Sequence, residues 1–253
     1  MKYIILSFDD ARSDTYEVAK PIMEKYGLTG TVNVISDFVL NPGKYQIVTS
    51  PKAMTREQVL DWQKWGGEVA CHGSTHNNTV DDIKKNIEEL QSFGVDVSRI
   101  GFASPTSWLT LDNLCESGIN ELIDNGKLIY LRSGIRVRRE GLPYMGLSLI
   151  ERFTHGQWLY YYLNKRNIIH KSKEYRILPA AAVKDYTSVS QIQYLIEKMK
   201  NDEALIIMFH SILKHDNPLY GSDHYYWDAR RFDKLCNWLK NNDNIKVINT
   251  IDL

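Results

Sequence analysis

Three groups of residues in this sequence have the types and spacing to do chemistry: the pair Asp9-Asp10, the histidines of His72-x-x-x-His76, and His210. Two imidazoles four residues apart can face one ion from a single turn, and one carboxylate from elsewhere completes a three-ligand set with positions left open for water. That is the pattern of a catalytic metal rather than a structural one. A second carboxylate beside it can take a proton from bound water, and an opposed histidine can give one to a leaving amine or alcohol. The parts make a metal-assisted hydrolase. Taken singly, an aspartate pair caps helices and a histidine after a core strand often serves as a structural hydrogen-bonder. What argues for a site is that all three groups directly follow apolar runs.

Those runs are the elements that must position the chemistry. Tyr3–Phe8 is a β-branched and aromatic run ending at Asp9, followed by a helix that Ser13 can cap, running to about Tyr26 and stopping at Gly27. GTVNVI (30–35) reads as a second strand, with a loop containing Pro42, Gly43 and Pro51 behind it. Thr55-x-x-Gln58 is a capping box opening a helix to Trp65. Glu68–Cys71 is the third strand, and 81–93 a helix with Ile83, Ile87 and Leu90 on one face. Further strands are expected at 99–102, 127–131, 175–178, 204–209 and 246–250, with helices near 110–117, 188–200 and 228–241. Strand and helix alternate almost throughout. The fold class is therefore α/β, as a distorted or incomplete (β/α) barrel of about seven parallel strands, whose strand ends gather on one face where active sites are built.

The chain has 253 residues, with 31 Lys+Arg against 31 Asp+Glu and 43% hydrophobic residues. This suits one globular domain spanning 1–253 with a large core, and residues 134–172, which fit the alternation poorly, read as an insertion. Zero net charge gives no global pull toward nucleic acid or an anionic membrane, so neither is expected as a partner. No stretch reaches the ~18 apolar residues of a membrane span. The apolar start meets two aspartates too early for a signal peptide, and three widely spaced cysteines imply no disulfide framework. A cytoplasmic protein is expected.

The motifs also carry a family resemblance. ILSFDDAR resembles the first motif of NodB-like polysaccharide deacetylases, usually Thr-Phe-Asp-Asp-Gly, and EVACHGSTHNN is similar to their His-x-x-x-His motif. GTVNVIS resembles the family's second strand and IIMFHSI its late strand ending in a histidine. The resemblance implies a distorted barrel and hydrolysis of an acetyl group, usually N-linked, on a sugar or glycan precursor. By motif position it implies Asp9 as general base, Asp10, His72 and His76 as metal ligands, and His210 as general acid. It further implies one divalent ion, zinc by default, with iron, cobalt, nickel or manganese also suited to this ligand set. The third motif aligns with GFASPTSW, which gives the amide of Thr106 to the oxyanion.

The chain departs from the family pattern, and Ser104 replaces the first proline of the third motif. Ala103 stands where the family has the arginine that orients the base, Ala11 replaces a glycine, and the aspartate-rich fourth motif is not recognisable. Arg132, near the expected strand at 127–131, is the residue that can replace the arginine. Among the aromatics after His210, Trp227 is a candidate sugar-binding ring, although rings there also serve to hold the loop down. Asn33 either faces the barrel mouth or is satisfied inside it. The basic run Arg136-Val137-Arg138-Arg139 reads as a solvated face, and WLYYYLNK as core or partner interface. A carbohydrate or a small amide is the expected substrate partner; the oligomeric state stays open. Rival readings are a hydrolase of small non-sugar amides, a non-catalytic carbohydrate-binding relative that keeps the metal, and an iron oxygenase, which usually needs an all-β scaffold.

Overall fold

The computed structural model describes residues 1–43, 52–135, 140–222 and 224–253. The run at 136–139 and Pro51 therefore lie outside the described residues. The strands are β1 (Lys2–Phe8), β2 (Thr31–Val34), β3 (Glu68–Cys71), β4 (Phe102–Ala103), β5 (Leu131–Gly134), β6 (Ile168–His170), β7 (Leu178–Ala182), β8 (Glu203–Phe209), β9 (Ser211–Leu213), β10 (Tyr226–Asp228) and β11 (Ile245–Val247). Their order in the main sheet is β11-β1-β2-β3-β4-β5-β7-β8-β6. An additional parallel pairing of β1 with β8 runs from Tyr3↔Ala204 to Phe8↔Phe209.

That pairing turns the sheet into a ring of seven parallel strands, β1-β2-β3-β4-β5-β7-β8, among the described residues. The ring is distorted rather than a regular barrel. It is thinnest at β4, which meets β3 through the single pair Cys71↔Phe102. β1 shares its other edge between two partners, β11 beside Lys2–Ile4 and β2 beside Ser7 and Phe8. β6 adds an antiparallel strand to β8 outside the ring.

Alternation along each strand sorts side chains to the two faces of the ring. Ile4, Leu6, Phe8, Val32, Val34, Val69, Cys71, Leu205, Ile207 and Phe209 join the helices in the larger apolar cluster. Ile5, Ala70, Tyr130, Ala180, Ala204, Ile206 and Met208 form a second cluster inside the ring. Counting on by twos from the inner set reaches Asp9, His72, Arg132 and His210. The same rule that fills the barrel aims the polar residues into its mouth.

Most expected helices appear, including the reciprocal capping box of Thr55 and Gln58 on the helix Arg56–Lys64. Ser13 does not act as a cap: the first helix begins without a side-chain cap, passes through a π-helical stretch at Thr15–Ala19 and continues as Lys20–Lys25. Strands expected at 99–102, 127–131 and 175–178 start three to four residues later. Their true spans contain Arg132, Ser133, Gly134 and Pro179, residues that mask a strand signal, whereas Ile100 and Leu128 pack as buried loop.

The floor of the ring is a buried polar plug. Glu68 accepts hydrogen bonds from Tyr130 Oη at 2.6 Å, Thr31 Oγ1 at 2.8 Å and the Ile251 amide at 2.9 Å. Burial pushes the Glu68 carboxyl up despite these donors. Replacing Tyr130 by phenylalanine should cost about 1–3 kcal/mol in urea unfolding, the penalty of a buried carboxylate short of one donor. An unchanged midpoint would mean that the plug does not depend on this hydroxyl.

Candidate metal and catalytic site

Asp9 follows β1 and His210 follows β8, and the register Phe8↔Phe209 makes them neighbours at the mouth. The Asp9 amide donates to the Phe209 carbonyl at 2.9 Å, tying the two strand ends together. One oxygen of Asp9, Oδ1, accepts from Arg132 Nη2 at 2.6 Å and from Asn33 Nδ2 at 2.8 Å. The other, Oδ2, faces His72 Nε2 at 4.0 Å. Burial alone would raise the Asp9 pKa, but the Arg132 guanidinium, then His72 and His210, hold it below the usual carboxylate range. The structure thus keeps this buried group charged.

Arg132 reaches Asp9 from β5, where it is registered beside Ala103 of β4. A guanidinium therefore stands one strand away from the position that Ala103 fills. Its Nη1 also lies 2.6 Å from Met208 Sδ. Removing one partner of such a buried pair strands a charge, which typically costs 3–5 kcal/mol.

Asp10 is turned toward the histidines by a left-handed backbone, φ 76°, followed by Ala11 at φ 55°. Strain of this kind is characteristic of functional sites. Arg12 Nε and Nη2 both donate to Asp10 Oδ2, at 2.9 and 2.7 Å, and Arg12 Nη1 donates to Ser211 Oγ at 3.1 Å. Oδ1 is left facing His72 Nε2 at 3.4 Å and His76 Nε2 at 3.8 Å. Burial works against the Asp10 charge, yet the Arg12 guanidinium holds its carboxyl well below the ordinary value.

His72 and His76 sit on an irregular loop rather than on one helical turn. Gly73 takes φ +78°, and a Cβ there would stand 2.6 Å from Asp82 Oδ2. Asp82, on the helix Val80–Ser92, accepts from the Thr75 amide and hydroxyl and from the Asn77 amide, folding the loop. His72 Nδ1 lies 2.7 Å from the Ala103 carbonyl, so this nitrogen carries the proton and Nε2 keeps its lone pair. Burial, then the neighbouring His72, lowers the His76 pKa to about 4, which leaves its imidazole neutral near pH 7.

One ligand atom each from Asp10, His72 and His76 lie within 4.8 Å of one another. Two imidazoles and a charged carboxylate converging in this way fit a divalent ion. His210 is half-buried, and its ring lies 5.0 Å from that of Tyr225. Its Nδ1 is buried without a hydrogen-bond partner among the described residues, in line with the absent aspartate-rich motif. Burial lowers the His210 pKa further than Asp10 and Asp9 raise it.

The remaining expected residues divide. Thr106 is exposed at φ 54° in a loop tied to the histidine loop, where Asn78 Nδ2 donates to the Pro105 carbonyl at 3.1 Å and Ser104 Oγ to Asn78 Oδ1 at 2.8 Å. Trp227 is not a sugar-facing ring. Alternation along β10 turns it inward, where it is 1% exposed, packs on Phe209 and donates from Nε1 to the Thr187 carbonyl at 2.8 Å. Tyr225, 48% exposed and against His210, is the ring that lines the mouth. Sequence reasoning missed Arg12 and left Asn33 undecided. The signal for Arg12 was its place two residues after Asp10, and for Asn33 its inward parity on β2.

Asp14 was also missed. Its Oδ1 accepts from the Ile212 amide at 2.7 Å, anchoring the segment just past His210. Burial pushes its carboxyl up to about 6 from 3.8. Its folded pKa lies above the unfolded one, so the stability it permits is fully present below about 3.8 and declines as pH rises through about 6, by at most about 3 kcal/mol. An Asp14→Asn variant should lack that decline. Denaturant midpoints measured for both proteins between pH 4 and 7 check this, and parallel profiles would show that Asp14 does not titrate as described.

The polysaccharide deacetylase family model matches residues 1–100, the stretch holding Asp9, Asp10, His72 and His76. The resemblance read from the motifs is to this same family. No curated protein sequence matches. Among solved structures, the Xyl-CE4 domain of a multidomain xylanase from the hindgut metagenome of Trinervitermes trinervoides is 16% identical, with a TM-score of 0.51 over 99% of this chain and 88% of that one. The catalytic domain of a peptidoglycan N-acetylglucosamine deacetylase from Eubacterium rectale is 14% identical, with a TM-score of 0.52 over 98% and 87%. A family 4 acetyl xylan esterase from Clostridium thermocellum, in complex with a cobalt ion, is 13% identical, with a TM-score of 0.52 over 99% and 89%. At these identities the likeness is one of fold. The chain shares the α/β architecture of these deacetylases and esterases.

Proposed function

We propose that this protein is a metal-dependent deacetylase that hydrolyses the N-acetyl group of an amino sugar or glycan precursor. The observation that carries this reading is the convergence, at one end of the ring, of Asp10, His72 and His76 on one point, with Asp9 and His210 beside them. The family match over residues 1–100 supports it, as do neighbours described as a peptidoglycan deacetylase and an acetyl xylan esterase. Free thiols at Cys71, Cys115 and Cys236 suit a reducing, cytoplasmic setting. Among the described residues, no helix is long and apolar enough to cross a membrane.

A divalent ion, zinc by default, held by Asp10, His72 and His76 would supply Lewis acidity toward the acetyl oxygen and a water molecule. Arg12 keeps one oxygen of Asp10 occupied and presents the other. Arg132 and Asn33 likewise hold Asp9 by Oδ1, leaving Oδ2 to take the proton of the attacking water. His210, beside Asp9 at the mouth, is the group to protonate the departing amine, and the Thr106 amide is the donor assigned to the developing oxyanion. Acetate and the free amine leave.

A second reading, a carbohydrate-binding relative without turnover, is favoured by one observation, the unpartnered Nδ1 of His210. Acetate release from N-acetylglucosamine oligomers, nucleotide-linked N-acetyl sugars and simple acetamides separates the readings. Sugar-dependent acetate is expected; release from acetamides alone favours a small-amide hydrolase, and silence with metal bound favours the binding relative. Asp10→Ala and His72→Ala should each lose bound metal, measured by elemental analysis, and full retention would count against the ligand assignment. Asp9→Asn should keep metal and lose turnover. His210→Ala should slow turnover by about 10²–10⁴-fold, and wild-type rates in either variant would remove that residue from its role.

A further inference from the structure

We propose that the outer face of the helix Leu142–Thr154 is a dimer interface, covered by the same face of a second copy of this chain. Of that helix's residues only Glu151 is buried. Leu142, Met145, Leu149 and Phe153, at 81, 42, 56 and 76% exposure, recur at the three-to-four spacing that makes one helical stripe. Ile150 and Trp158 widen it, at 52 and 64%. Trp158 stacks on Tyr162 at 5.6 Å and Tyr162 on Tyr144 at 6.3 Å, which stiffens the edge of the patch.

These six side chains expose on the order of 500 Å² of apolar surface, taking ~100 Å² for a whole aliphatic side chain and ~200 Å² for a ring. Patches of that size lie at the upper end for monomers. It also equals the apolar share of one side of a standard interface, about 800 Å² per partner and roughly 60% non-polar.

Gly146 lies within the same stripe. A glycine in mid-helix weakens the helix relative to alanine, and a Cβ there would meet nothing within 4 Å in its own chain. Packing inside the chain gives no reason for it; a neighbour from outside does. An antiparallel two-fold crossing centred between Leu147 and Ser148 sets Leu142 opposite Phe153 and Gly146 opposite Leu149, a knob facing a hole. It opposes the two helix dipoles and brings Arg152 of one copy toward Glu140 of the other.

The rim carries both signs. Arg166 is held by Glu140 at 2.6 Å, Arg152 lies over the Tyr186 ring at 5.3 Å and Lys165 over Tyr162 at 4.8 Å. An anionic lipid surface selects a free cationic band instead; among the described residues these rim cations have partners within the chain, so the second copy fits better. The interface also buttresses the mouth: Arg152 Nη2 lies 2.8 Å from His224 Nε2, one residue before Tyr225.

Sedimentation equilibrium of the full chain tests this, alongside Gly146→Leu, which fills the hole, and Leu149→Glu, which charges the knob. The wild type should run at twice the chain mass, and both variants should self-associate about tenfold or more weakly. Unchanged circular dichroism and thermal midpoints would show that the fold is kept, and Gly146→Leu keeps the test valid if Leu149→Glu misfolds. A wild type that stays monomeric at high micromolar concentration, or a dimer that persists in the folded variants, would overturn the proposal. Monomers that float with phosphatidylglycerol vesicles would overturn it in favour of a lipid surface.

Discussion

The pairing of β1 with β8 is the constraint on which the rest depends. It closes the sheet into a ring, and closure decides which residues of every strand look inward. Once Phe8 is registered on Phe209, the next residue of each strand, Asp9 and His210, must share the mouth. The neighbours follow from the remaining pairings. β2 brings Asn33 up to Asp9, β3 delivers the loop of His72, and β5 carries Arg132 across the interior. Slippage of any strand by one residue would exchange its polar set for its apolar set, so stability and chemistry are fixed by the same register.

The electrostatics of the site follow from where the cations sit. Asp9 and Asp10 are adjacent, almost fully buried and both held below the normal carboxylate range. Like charges in contact would ordinarily force one to take up a proton. Each is instead given its own guanidinium, Arg132 for Asp9 and Arg12 for Asp10, on the oxygen that faces away from the histidines. Every carboxylate therefore has one committed oxygen and one available oxygen. Division of labour between the two aspartates begins there.

The alternation of apolar runs with amphipathic helices made the architecture legible in the sequence, and the position of Asp9, His72 and His210 just past those runs made the mouth legible. Residues that arrive from outside the motifs were harder to read. Arg132 lies on a strand whose later residues, Arg-Ser-Gly, look like a loop, so its inward parity was invisible until the strand boundary moved. Arg12 lies in plain view, yet whether it would turn back on Asp10 depends on the left-handed kink at Asp10 and Ala11, which propensity does not encode. Trp227 shows the opposite failure. A large ring near a site is easily assigned to substrate, but Trp227 lies within β10 and packs on Phe209, whereas Tyr225, just before that strand, lines the mouth beside His210.

The same ring has a consequence for how the molecule comes into being. Arg12 and Ser211, joined at the mouth, stand 199 residues apart along the chain, and the edge of β1 that β8 will cover must wait through nearly all of the intervening synthesis. Local units such as the capped helix Arg56–Lys64 can form on emergence, while closure requires contacts between strands far apart in sequence and belongs to the slow end of folding. Half of the chemical equipment is thus made first and its counterpart close to last. A nascent chain released before β8 carries Asp10, His72 and His76 without the strand that completes their enclosure, so assembly of the site and closure of the fold are a single late event.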